Sequence, residues 1–482
     1  MHGKLARILR HSATAMLVTL GAVGCAERDP EPLWPEPRAL GRDIRAFRPV
    51  GGAAKPVARS IEVEEPAGTI RLREALALAL VRSPKLAAAS WAVRAADARA
   101  LQEGLMPNPE VRVRMDDFGG AGEFEGTRYS EQGIRLSQVI ELGGKAAKRR
   151  RTARLEAALC GWDYETTRLD VFTETTKAFV AVLAAQKRLA AAQEMHDLAE
   201  QVMSLVSRRV RGGAGSDLET DEARIELGSS RIDLEQARQA LEADRAVLAS
   251  HWDEKSPRFR GAIGDLEDMS PTQIPPWEQV LARIEGNPDV SRWETEARMR
   301  QAALEREKAN GIPDVRVLLG NRRLEETGDY GYSVALEVSL PIFDRNQGSI
   351  REARFNCVKA RYEHRAATMV AVATLRQAYQ SLSISRRTAV LLKNEVLPAA
   401  QRALGTTRRA LEGGTVTDLQ LLKAQRTLFK ARTRQIDALE VFHVSVADVE
   451  RLIGQPISDL RPSDRPDSPT RRRTPAEPSG KR

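Results

Sequence analysis

Five carboxylates crowd two glycine-rich turns that lie 201 residues apart in the chain. Asp217, Glu219, Asp221 and Glu222 follow Arg211-Gly212-Gly213-Ala214-Gly215-Ser216, and Asp418 follows Glu412-Gly413-Gly414-Thr415-Val416-Thr417. Carboxylates at such density can gather cations, because charges of one sign focus their field in a confined space. They can also complement a helix dipole, which is worth about 0.3–1 kcal/mol for each acid in a first turn. Spacing divides the first four: Asp217 and Asp221 share one helical face, Glu219 and Glu222 another. Asp418 is less well supplied, since Gln420 and Lys423 follow it. Ser216 with Glu219, and Thr417 with Gln420, have the spacing of capping boxes and mark helix restarts.

No other constellation carries reaction chemistry. Cys25, Cys160 and Cys357 form no CxxC pair and no zinc-ligand spacing. HExxH, GxSxG and GxxxxGK[ST] are all missing; Gly144-Lys145 lacks the upstream glycine, where Val139 stands, and the following hydroxyl residue, where Ala146 stands. The expectation is a chain with no catalytic residues, no cofactor and no metal ligands. The net charge of +9 does not describe a nucleic-acid binder either. Residues 1–24 and 456–482 each carry +3 of it, whereas a binder concentrates basic charge on a folded face.

The elements that position the two turns come from a duplication. Ser83-Pro84 and Asn287-Pro288 each precede a Pro-acid-Val-Arg-Val segment (109–113 and 313–317) by 25 residues, proline to proline. The offset between copies is 204 there and 201 at the glycine turns. Each copy predicts one helix (71–106; 276–310), two strands, a very long helix (143–211; 347–411) and a returning helix (216–255; 417–454). The last strand alternates most clearly, with Tyr330, Tyr332, Val334, Leu336 and Val338 on one face and small or polar residues between them. An apolar face with tyrosines near one end suits the lipid-facing side of an outer-membrane strand. The long helices reach roughly 100 Å at 1.5 Å per residue.

A small-residue seam runs down the first long helix: Ala153, Ala157, Cys160, Tyr164, Thr167, Val171, Glu174, Ala178, Val182 and on through His196 to Val210. The second copy repeats it from Ile350 through Cys357 and His364 to Ala371. The cysteines and these histidines are therefore interface side chains. The chain divides into a signal peptide (1–24), a tether (25–69), a first repeat (70–260, hairpin 109–140), a connector (261–275), a second repeat (276–455, hairpin 313–341) and a disordered basic, proline-rich tail (456–482).

Four spanning strands cannot close a barrel, since outer-membrane barrels begin at about eight. Three chains supply twelve, together with a hollow ring of long helices. Leu340-Pro341-Ile342-Phe343-Asp344-Arg345-Asn346-Gln347-Gly348 and Glu141-Leu142-Gly143-Gly144-Lys145 mark where strands re-aim as helices, with Pro341 ending the ladder and Gly143, Gly144 and Gly348 permitting the bend. These stretches, within this order of elements over residues 70–455, resemble the TolC-like outer-membrane factors, and specifically their heavy-metal (Czc-type) branch. The resemblance implies a mixed α+β membrane protein: a homotrimer with a twelve-stranded β-barrel and a periplasmic α-barrel of helical hairpins. It implies a passive exit duct in the bacterial outer membrane, with a periplasmic adaptor, an inner-membrane RND-type exporter and outer-membrane lipid as partners. The adaptor would meet the tips at Gly212, Gly213, Ser216, Gly413, Gly414 and Thr417. Some family members carry two gate aspartates where Gln420 and Lys423 stand, so that gate does not transfer. A duct for small organic molecules, or a periplasmic coiled-coil scaffold, are the competing readings.

The N-terminus reads as an address. Basic residues precede an apolar run from Ala13 to Val23, and Ala22-Val23-Gly24-Cys25 resembles a bacterial lipobox. Cys25 is expected to be the lipidated first residue of the mature chain, with two or more acyl chains anchoring it stably. Mass spectrometry of the mature N-terminus checks this; an unmodified Cys25, or cleavage elsewhere, contradicts it.

Overall fold

A computed structural model describes residues 32–49, 64–213, 216–270 and 273–460. The signal peptide, Cys25, part of the tether and tail residues 461–482 lie outside the described residues. In chain order the elements are β1 (Thr69–Arg71), α1 (Leu72–Arg82), α2 (Pro84–Glu103), β2 (Glu110–Asp116), β3 (Glu131–Ile140), α3 (Lys145–Arg211), α4 (Asp217–Ser250) and β4 (Gly261–Ile263). The second copy has α5 (Trp277–Leu281), α6 (Pro288–Asn310), β5 (Val315–Leu324), β6 (Tyr330–Val338), α7 (Gln347–Leu391), α8 (Leu397–Glu412) and α9 (Asp418–Ile453).

The first helix of each copy is split rather than continuous. Ser83 (ψ 122°) and Asn287 (ψ 127°) leave the helical region because a following proline ring crowds them out of it. Pro84 and Pro288 then open new helices, and α1 and α2 meet at a 41° bend. The second long helix is interrupted too. A π-turn at Leu392–Val396 separates α7 from α8 just before Pro398, which has no N–H to give to the ladder. Among the described residues no single helix is long and apolar enough to cross a membrane.

The 67-residue α3 is the spine. It packs against α1, α2, α4, α6 and α9, and so buries more than the seam read from spacing: Leu155, Leu159, Leu169 and Phe179 are covered as well. Glu174, placed in the seam by periodicity, is exposed and pairs with Lys85 at 3.2 Å. His364 is exposed as well, its ring stacked on Trp293. Cys160 and Cys357 are half-buried and free, and burial pushes the Cys160 thiol up.

Residues 33–49, expected as a loose tether, lie along α3. Glu165 and Arg168, 1% and 2% exposed, pair at 2.7 Å beneath this strap. Arg38 N donates to Glu165 Oε1 (2.7 Å), and Arg168 donates to the carbonyls of Leu40 (3.0 Å) and Arg38 (3.3 Å). A buried ion pair needs its remaining valences filled, and strap backbone fills them. Gly161 is glycine because a Cβ there would fall 1.8 Å from the Leu33 carbonyl oxygen. Within the expected connector, β4 pairs parallel with β1, and Gln186 of α3 clasps both backbone groups of Ala262.

The body also extends past the expected tail boundary. Ile457 and Leu460 are buried, and Ile457 N donates to Glu450 Oε1 at 2.9 Å. Burial pushes the Glu450 carboxyl up to about 7, with Asp459 adding to the rise. The folded chain therefore holds a proton between the ordinary carboxyl value of 4.5 and about 7 that the unfolded chain has lost. Proton uptake favours the native state, so stability falls as pH rises through that window. Thermal unfolding followed from pH 4.5 to pH 7 should show this slope, and Glu450→Gln should flatten it.

Candidate functional site

The sheet joins both copies in the order β2-β3-β5-β6, antiparallel throughout. Register aligns its faces. Val111 lies opposite Leu136, Leu136 opposite Leu319, and Leu319 opposite Val334. Side chains alternate across a strand, so this face also carries Val113, Ile134, Tyr330, Tyr332, Leu336 and Val338. All are exposed, Tyr332 at 86% and Val334 at 74%. Tyr330, Tyr332, Val334, Leu336 and Val338 thus share one apolar face, and Arg323 lies over the Tyr330 ring at its end.

The opposite face is charged and was not singled out in the sequence. Glu110, Arg112, Arg114 and Asp116 occupy it on β2; Glu131 and Arg135 on β3; Arg316 and Arg322 on β5; Glu337 on β6. The alternation Val111-Arg112-Val113-Arg114 was the available signal. Both outer strands, β2 and β6, have one edge without a partner strand among the described residues.

Two joints turn this sheet into helices. Gly143 and Gly144 adopt positive φ (70° and 68°) ahead of α3, and a Cβ on Gly143 would meet Ile312 Cδ1 at 2.6 Å. Lys145, nearly buried, bonds Asp314 of the other copy at 2.7 Å, and Leu142 N donates to the same carboxylate. At the second joint Gly348 is not the bending residue. It lies inside the first turn of α7, and Asn346 takes the left-handed conformation (φ 58°) while its amide donates to Glu307 O and Oε2. Asparagine tolerates this region because its short side chain bonds locally. The ladder stops at Val338, ahead of Pro341.

At the far end, Gly213 (φ 74°) and Gly414 (φ 72°) turn α3 into α4 and α8 into α9, with Gly212 and Gly413 as the preceding helix caps. Thr417 and Gln420 form the full reciprocal box. Ser216 accepts from Glu219 N, but the Glu219 side chain turns away to Arg209, 3.8 Å distant. Arg209 also meets Asp418 (3.4 Å), and Glu222 meets Lys423 of the second hairpin (3.4 Å). Asp217 and Asp221 remain exposed on the other face, Asp221 beside Arg224. The predicted split into two pairs by face is what the helix displays. Among the described residues no group of three or more His, Cys, Asp or Glu side chains is placed to hold a metal ion.

The outer membrane efflux protein family model matches residues 75–252 and 282–455. The cobalt-zinc-cadmium resistance protein CzcC of Cupriavidus metallidurans is 32% identical over 81% of this chain and 91% of its own length. The nickel-cobalt-cadmium resistance protein NccC of Alcaligenes xylosoxydans xylosoxydans is 26% identical over 69% of this chain and 75% of its own. In three dimensions the chain resembles a crystal structure of CusC, with a TM-score of 0.69 at 18% identity, covering 85% of this chain and 99% of that one. It resembles the CmeC outer membrane channel of Campylobacter jejuni similarly, with a TM-score of 0.68 at 16% identity, covering 86% and 92%. Both halves of the duplication are matched, and the chain belongs to the outer membrane efflux protein family.

Proposed function

We propose that three copies of this chain close a twelve-stranded barrel in the outer membrane and form the exit duct of a tripartite pump for heavy-metal cations. The observation that carries this reading is the four-stranded sheet, with an exposed apolar face and, among the described residues, two edges without a partner strand. Lipid supplies no hydrogen bonds, so such edges persist in a membrane only when a barrel closes over them. Metal cations are favoured as cargo by the resistance proteins that the chain matches. Within this reading an inner-membrane RND-type exporter loads the duct through a periplasmic adaptor, and lipid on Cys25 holds the N-terminus at the membrane. The duct performs no chemistry of its own.

The hairpin tips at Gly212, Gly213, Ser216, Gly413, Gly414 and Thr417 are the adaptor-facing end in this proposal. Asp217 and Asp221 are the acids offered to the channel mouth or the adaptor. Glu222 and Asp418 instead hold the two hairpins together through Lys423 and Arg209, while Glu219 pairs with Arg209 inside the first hairpin.

Detergent extracts of outer membranes should yield threefold-symmetric particles by electron microscopy, and cells lacking the chain should become sensitive to cobalt, zinc or cadmium. A stable monomeric pore, or sensitivity to organic compounds alone, counts against the proposal. Gly213→Val combined with Gly414→Val should cost about 1–2 kcal/mol per site through left-handed backbone strain. Trimers should survive that cost while metal resistance is lost. Full resistance in this double variant would free the tips from any role in docking.

A further inference from the structure

The charged face of the sheet contains an imbalance that the efflux reading does not use. Its residues fall into rows across the strands. One row holds Arg112, Arg135, Gly320 and Ser333; the next holds Arg114, Gly133, Arg322 and Gly331. The row beyond begins with Asp116 and Glu131, directly opposite one another. Three of the four acids on this face have cationic partners, and the fourth, Glu337, lies on β6 at the far side of the sheet. Asp116 takes Arg114 at 2.6 Å, Glu131 takes Arg322 at 3.6 Å, and Glu110 takes Arg316 at 3.4 Å. Arg112 and Arg135 are left over: both are exposed, and among the described residues neither has an acidic partner.

These two arginines are register partners. Like charges directly opposite on a sheet destabilise the pair, so nothing in folding asks for this arrangement. The neighbours also leave room. Gly320 and Ser333 complete the row, so no other long side chain shares it with the two arginines. Two exposed arginines on register-paired positions offer the forked donors that a small oxyanion takes.

We propose that Arg112 and Arg135 form an oxyanion-binding belt inside the pore, for phosphate or for a carboxylate ligand of the transported metal. The belt rests on the closed-barrel reading, in which threefold symmetry sets six of these guanidiniums around the pore. A narrow passage lined by one sign of charge concentrates the opposite ion. The membrane end of the duct then admits anions, and a metal cation leaves accompanied by an oxyanion or bound within its complex.

Purified channel in planar bilayers, under a potassium chloride gradient at low salt, tests this. Wild type should show an anion-preferring reversal potential and reduced conductance on adding phosphate alone or citrate alone; the more effective of the two names the source. Arg112→Ser with Arg135→Ser should move the reversal potential toward cations and raise the blocking concentration about tenfold, as loss of charge-assisted bonds of this strength predicts. Arg112→Lys with Arg135→Lys keeps the charge but not the fork, and should retain the anion preference while weakening the block. This second variant also carries the test if the serine form does not assemble. Conductance whose selectivity and block are the same in wild type and both variants overturns the belt and leaves the channel standing. No conductance from the wild-type protein overturns the barrel, and the belt with it.

Discussion

Backbone groups at the two edges of the four-stranded sheet set the terms for the rest of the molecule. Among the described residues, the β2 and β6 edges present N–H and C=O groups with no strand to receive them. In water such edges invite aggregation, and in lipid each unsatisfied group costs several kcal/mol. One face of the same sheet is a continuous apolar surface, from Val111 across Leu136 and Leu319 to Val334. The sheet is thus unsuited to isolation in either solvent. In the proposed barrel, closing against further copies removes both problems together, and the helices continue the ring that the strands would establish.

The duplication supplies the material for the proposed ring, but the two copies are fused rather than juxtaposed. β3 of the first pairs along its whole length with β5 of the second, and Lys145 of the first is held by Asp314 of the second. Ion pairs from Glu222 to Lys423 and from Arg209 to Asp418 repeat this cross-linking at the opposite end. Surface pairs of this kind contribute about 0–1 kcal/mol each, so their role here is register more than stability. The bend from strand to helix is solved differently in each half: two glycines in one, Asn346 bonded to Glu307 in the other.

Much of this was legible in the chain itself. Period-two alternation located Tyr330 to Val338 and their common face, and glycine pairs located both helix reversals. What escaped falls into two kinds. Ser83 and Asn287 are local failures: the rule that a residue before proline leaves the helix was available at both, and Pro398 carried the same warning. The strap over Glu165 and Arg168, the exposure of Glu174 and the pairing of Glu219 with Arg209 are tertiary. They depend on partners 89 or more residues away, or across a hairpin, and no spacing rule reaches them. The unpaired arginines of β2 and β3 lie between these cases, since alternation gave their face while only register showed what they oppose.

The interruption at Leu392–Val396 has a mechanical meaning. α3 runs unbroken for 67 residues, whereas its counterpart in the second copy is two rods, α7 and α8, meeting at a wide turn. A π-turn accommodates an extra residue, which rotates everything beyond it by about 100° relative to an unbroken helix. The two long struts of each chain are therefore unequal in stiffness. If such chains close into the proposed cylinder, rigid and jointed staves alternate around it, and a load is taken up at the jointed ones while the rigid ones keep its outline.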